Sequence, residues 1–160
     1  MATCYLMTPE AYDSLNNEIE ELEYKVLPVI IEEVKTTRAQ GDLSENAEYH
    51  AAKNKQRETN RKIDNLKIFK VNAQVVDCYK FLPEEGIKFG AFVELVDIDT
   101  DKEMKIRLVG DFEADINKGW ISISAPLGKA MLGKKVGDSF EVETPNEIKA
   151  YDVISITYNK

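Results

Sequence analysis

The sequence predicts an α+β protein: an N-terminal antiparallel helical hairpin followed by a small, largely antiparallel β-sheet domain carrying one short helix. Three observations carry this reading. Apolar residues recur in steps of three and four throughout the first half. No Gly or Pro occurs between Asp42 and Leu82. The second half then switches to short alternating runs divided by Gly, Pro, Asn and Asp, which is strand-and-turn punctuation.

Taken in order, Thr8 before Pro9-Glu10 is suited to cap a helix, with Pro at its first position. The stripe Tyr12, Leu15, Ile19, Leu22, Val26, Ile30 and Val34 marks one helical face. Pro28 interrupts it and predicts a local irregularity and not a chain end, because proline lacks the N–H that an α-helix needs. After Gly41 a second stripe runs through Ala52, Gln56, Thr59, Ile63, Leu66 and Phe69, with Ala73 beyond. Two such helices joined by a short connection are expected to pack antiparallel, as an arm on the order of 45 Å long whose tip is GDLSEN. The change of period between Asn72 and Asp77 divides the chain into an arm over 1–76 and a β-domain over 77–160. Strands are expected in AQVVDC, AFVELVDI, MKIRLV, WISISA, SFEVE and YDVISITY. A short helix is expected to begin near Pro126 and to end near Gly133. Trp120, Phe81, Phe89, Phe92 and Phe112 are expected in the sheet core.

The formal net charge of −8 argues against simple sequence-independent binding to a polyanion. No apolar run reaches the roughly 20 residues that span a bilayer, and the first residues lack the pattern of a secretory signal. Cys4 and Cys78 stand far apart with a single histidine, which points to reduced thiols in a cytoplasmic setting. Charge is divided along the arm. Eight acids between Glu10 and Glu33 face only Lys25, whereas Lys53, Lys55, Arg57, Arg61, Lys62, Lys67 and Lys70 outnumber Glu58 and Asp64. These basic residues would pair with the first helix, steer the arm towards RNA or an acidic wall, or do both.

The connection GDLSENAEYH holds the most chemistry. Asp42 with Glu45 three residues later approximates a capping box, and negative charge suits the start of a helix. The same spacing would let both carboxylates meet one cation. A hard ion such as Mg2+ takes oxygen ligands, and two carboxylates leave most of its coordination to waters or a partner. The tip therefore reads either as a cap or as half of a metal site. His50 has no evident nucleophile beside it and reads as a surface or packing residue, as does Tyr49. PLGKAMLGKKVGD is no phosphate loop, because Lys134 is followed by Lys135 where Ser or Thr is required.

GDLSENAEYHAAK, with Arg38 three residues before Gly41, resembles the tip signature of the Gre family of bacterial transcript-cleavage elongation factors. DFEADINKGWISISAPLGKAMLGKKVGDSFEVETP and the closing YDVISI extend the resemblance over nearly the whole chain. The resemblance implies a coiled-coil arm, an FKBP-like second domain and a cytoplasmic accessory factor with no nuclease activity of its own. It implies that the arm enters the secondary channel of bacterial RNA polymerase and stimulates the polymerase's own Mg2+-dependent cleavage of the nascent RNA 3′ end in backtracked complexes. Asp42 and Glu45 would be the catalytic acids and would hold Mg2+ jointly with the polymerase, no metal being tightly bound to the free protein. Leu43, Ser44 and Asn46 would shape the tip and contact the catalytic region. Arg38, Lys53 and Arg61 would lie near the RNA or the channel, and the second domain would grip the channel rim. No membrane and no small-molecule substrate are implied. Gln56-Arg57-Glu58 departs from a Gly-Phe pair common in the family, so the basic patch differs in detail. The alternative is a channel-binding regulator or inhibitor that does not stimulate cleavage.

Overall fold

A computed structural model of the chain describes residues 4–40 and 46–159. They form two compact units, Tyr12–Asn72 and Met1–Ala11 with Ala73–Lys160. The fold is α+β, as the period change predicts.

The helical unit contains α1 (Pro9–Glu21, which starts in the other unit), α2 (Leu27–Arg38) and α3 (Ala47–Val71). Between α1 and α2 the chain makes a π-helical turn, Leu22–Val26, in which the Leu27 N–H donates to the Leu22 carbonyl. This is the irregularity that Pro28 foretells. It also repairs a mismatch of spacing. The stripe advances in steps of four from Leu22 to Val34, so a straight α-helix would carry Val34 about 120° away from Leu22. One i→i−5 turn absorbs an additional residue and takes back about 100° of that rotation. Ile30 is accordingly buried and Val34 half-buried, whereas the neighbouring Val29 is exposed. On α3, Ala52, Ile63 and Leu66 are buried and Gln56, Thr59 and Phe69 half-buried, so the second stripe forms as read.

The other unit is built on a five-stranded sheet. β3 (Phe92–Asp97), β4 (Glu103–Val109), β5 (Trp120–Ser122), β6 (Ser139–Glu143) and β7 (Ile148–Thr157) lie in the order β5-β4-β3-β7-β6. All pairs are antiparallel except β4 with β5. The short helix α4 (Pro126–Met131) buries Met131 in a core with Val93, Leu95, Leu108, Phe140 and Val153. The alternation of β7 is broken by a register shift opposite Glu94 and Leu95, where Ile154 is the additional residue. Val153 and Ile156 thereby both reach the core although they lie three residues apart.

Two expectations need correction. AQVVDC does not join the main sheet: β2 (Ala73–Val75) pairs in parallel with β1 (Tyr5–Met7) in a separate two-stranded ribbon. This pairing places residues 4–11 in the sheet unit, and packing divides the chain after Ala11 and after Asn72. Phe92 and Trp120 are half-buried beside the Arg107 guanidinium and are no part of the main core, to which Phe81 packs partly buried.

The predicted cap at Thr8 is present and does more than cap. Its hydroxyl accepts from the Ala11 N–H at 3.2 Å and donates to the Glu113 carboxylate at 2.6 Å, and the Thr8 N–H donates to the other carboxylate oxygen at 3.2 Å. The turn after β4 delivers Glu113. Gly110 starts it, and a Cβ at that position would collide with the Leu6 carbonyl, so glycine lets β1 approach. Just beyond, Asp111 accepts from the Ser122 and Ser124 hydroxyls, which hold its carboxyl below the usual range against the opposing effect of partial burial.

Thr8→Ala removes a fully buried cap and takes the hydroxyl donor from the Glu113 carboxylate, which keeps only the backbone N–H of residue 8. Equilibrium urea unfolding is expected to show a loss of about 1–3 kcal/mol with an unchanged m-value. A depressed carboxylate pKa stabilises the fold above its unfolded value, near 3.9, and this contribution is lost as pH falls through the lower folded value. Asp111→Asn should therefore flatten that part of the acid-unfolding curve, read by circular dichroism between pH 5 and 2, while Asp138→Asn serves as a control of equal charge.

Candidate functional site

The candidate site is where α2 gives way to α3. Helix α2 closes with the Ala39 N–H on the Lys35 carbonyl and the Gln40 N–H on the Thr37 carbonyl. Helix α3 opens at Asn46, whose backbone is extended (φ −82°, ψ 94°) and whose Oδ1 accepts from the Tyr49 N–H at 2.9 Å. The same side chain donates from Nδ2 to the Thr37 carbonyl at 2.6 Å. One amide thus adds a second donor to the Thr37 carbonyl, which already accepts from the Gln40 N–H, and satisfies an orphan N–H at the start of the next helix. It ties the end of α2 to the start of α3.

This alters the reading of the carboxylates. The cap of α3 is Asn46 and not Asp42, because the helix begins at Ala47 and Asn46 has the dihedrals and the acceptor. Asp42, Leu43, Ser44 and Glu45 lie outside the described residues. Of the sequence-predicted site residues, Arg38 is exposed at the last position of α2, Asn46 caps α3, and Lys53 and Arg61 stand on α3. His50 is exposed, with its ring edge-on to Tyr49 at 5.5 Å between centroids.

Six of the seven basic residues of α3 fall into two groups, with Lys70 in its last turn. Lys55 pairs with Glu33 at 3.7 Å, Lys62 with Glu18 at 3.3 Å, and Lys67 with Glu23. The hydrogen bond from Lys67 to Glu23 raises the ammonium pKa above its ordinary value. All three are exposed contacts that orient charge more than they stabilise the fold. Lys53, Arg57 and Arg61 are spaced four apart and make no ion pair among the described residues; the Arg57 guanidinium donates to the Asn54 side chain at 3.1 Å. Both parts of the expected division, pairing and a free basic stripe, are therefore present. On the other side, α2 and α3 enclose a groove of about 610 Å3 with Val29, Thr36, Ala51 and Ala52 in its walls and Glu32 and Glu48 among its acids.

Sequence reading passed over Thr37 and the double role of Asn46. The available signal was Asn followed by Ala-Glu-Tyr, a cap as good as Asp42 and nearer to the start of the second stripe. Asn46→Ala is expected to cost about 1 kcal/mol and to speed amide exchange at Tyr49. Asn46→Asp should keep the cap while losing the donation to Thr37, so protection at Tyr49 should survive in that variant.

Among the described residues no helix is long and apolar enough to cross a membrane. Two family models match the chain: "Transcription elongation factor, N-terminal" over residues 5–75, and "Transcription elongation factor, GreA/GreB, C-term" over residues 82–158. The chain is 45% identical over 152 residues to transcription elongation factor GreA of Rhizobium leguminosarum bv. trifolii, which covers 95% of this chain and 96% of that one. It is 43% identical, with the same coverage, to transcription elongation factor GreA of Caulobacter vibrioides. Among solved structures it aligns with the GreA factor homolog 1 protein of Thermus thermophilus at 24% identity and a TM-score of 0.46, over 96% of this chain and 99% of that one. The chain belongs to the GreA/GreB family of transcription elongation factors.

Proposed function

We propose that this transcription elongation factor binds bacterial RNA polymerase through the secondary channel and stimulates the polymerase's own cleavage of the RNA 3′ end in backtracked complexes. The observation that carries the reading is the pair Asp42 and Glu45, placed by the sequence in the connection between α2 and α3. Because Asn46 caps α3, the helix start does not need Asp42 as its cap.

Two carboxylates suit Mg2+ in donor type and charge, and their number suits an ion whose remaining ligands come from polymerase and substrate. Asp42 and Glu45 would hold it, and when bound it supplies charge for the scissile phosphate and a more acidic attacking water. The chain's own residues do the rest. Leu43 and Ser44 would shape the tip against the catalytic region, and the Asn46 amide fixes the frame from which the tip is presented. Arg38, Lys53 and Arg61 offer cations to the RNA backbone or the channel wall. The sheet unit would grip the channel rim. No nuclease chemistry is assigned to the chain alone.

The test is a stalled, backtracked polymerase incubated with the protein and Mg2+. Release of short 3′ fragments is expected. Asp42→Asn and Glu45→Gln should each slow it by on the order of a hundredfold or more, with polymerase binding retained in a competition assay. Slowed nucleotide addition without fragments would instead make the protein a channel-occupying regulator. Equal loss of binding in both variants would make the tip an anchor.

A further inference from the structure

The outer face of the sheet carries a row that the arm does not explain. Trp120, Arg107, Phe92 and Thr157 are register partners across β5, β4, β3 and β7. Alternation alone would leave Arg107 in solvent beside Lys105. Instead it is only 3% exposed, because the segment Cys78–Lys80 lies over it. Gly90 makes room for that segment, since a Cβ there would strike the Cys78 side chain. The guanidinium sits 4.4 Å from the Phe92 ring centroid and 5.7 Å from that of Trp120. Its remaining contacts are long: 3.4 Å to the Gly90 carbonyl, 3.8 Å to the Cys78 Sγ and 3.4 Å to the Tyr79 hydroxyl. Among the described residues it makes no ion pair with a carboxylate within 4 Å, although the Glu10 carboxylate, hydrogen-bonded to Tyr79, is near enough to interact with it electrostatically.

Beside it opens a cleft of about 250 Å3. Lys118 stands at its edge, 5.2 Å from the Trp120 centroid and without an ion pair among the described residues. Lys105 reaches Glu94, the one acid of the cleft, only at 3.9 Å. Ser155 also lines this space, while the hydroxyl of Thr157 is donated to the Asn159 carbonyl. Three cations outnumber the two acids that interact with them, Glu94 and Glu10, and form a positive site on a chain of net charge −8. A buried guanidinium held against aromatic rings is a fixed donor for a planar or phosphate-bearing anion. The volume lies just below the usual range of ligand pockets, which suits part or all of one nucleotide unit and not a duplex.

We propose that this cleft binds the phosphate and base of a single nucleotide unit, with Lys105, Lys118 and Arg107 as its cations. The inference is independent of the tip, and its assay contains no polymerase, so either reading can fail without the other. Trp120 is the only tryptophan in the chain, so its emission reports on the cleft directly. The full chain would be titrated at low salt with uridine 5′-monophosphate, inorganic phosphate and a short oligouridylate. A saturable change in emission with the nucleotide is expected, weaker at higher salt and weakened about tenfold by Lys105→Ala and by Lys118→Ala. Tighter binding of the oligouridylate than of the nucleotide would identify an RNA strand as the source, and equal binding a free nucleotide. Absence of saturable binding, affinity unchanged in both lysine variants, or phosphate alone binding as well as the nucleotide would each overturn the proposal.

Discussion

The helical unit rests on a thin apolar seam, and the seam exists because one turn of helix holds a residue more than α geometry allows. Helix α3 buries only Ala52, Ile63 and Leu66 out of 25 residues. So narrow a stripe tolerates little rotation of its partner. Four-residue steps from Leu22 to Val34 would turn α2 off the seam, and the π-helical turn before Pro28 brings Ile30 back. Proline at that point costs little, because the backbone is already out of the i→i−4 pattern. Register between α2 and α3 then sets Thr37 against Asn46, and that amide bridge determines where the tip segment leaves one helix and enters the other.

Charge is allocated on the same frame. Lys55, Lys62 and Lys67 are matched to glutamates of the preceding helical segments, which leaves Lys53, Arg57 and Arg61 without ion pairs among the described residues. The groove between α2 and α3 has an acidic edge. An acidic protein thus presents a local cationic face without altering its net charge.

In the sheet unit the governing contacts are between segments far apart in the chain. Glu113 holds Thr8, and Arg107 is enclosed by Cys78 and Tyr79. A helix cap, ordinarily a local device, here ties the start of α1 to the turn after β4. The Thr8 hydroxyl has both an acceptor site for Ala11 and a proton for Glu113, and it uses both.

Much of this was legible in the residues. The helix stripes, the disturbance at Pro28, the Thr8 cap, the strands from Phe92 onward and the helix at Pro126 all follow from periodicity and from the chemistry of Pro, Gly and Thr, which act within a few residues. The tip's carboxylates and the division of lysines were equally plain as sequence. What only the tertiary structure decided involves partners distant in the chain. The ribbon of β1 with β2 joins residues about 70 apart, and no local pattern announces a parallel pair. Asn46 and not Asp42 caps α3 because the spatial position of the Thr37 carbonyl rewards an amide, which can donate and accept, over a carboxylate, which only accepts. Phe92 and Trp120 left the core, and Arg107 became buried, because a strand's alternation says which residues share a face but not what will lie over that face.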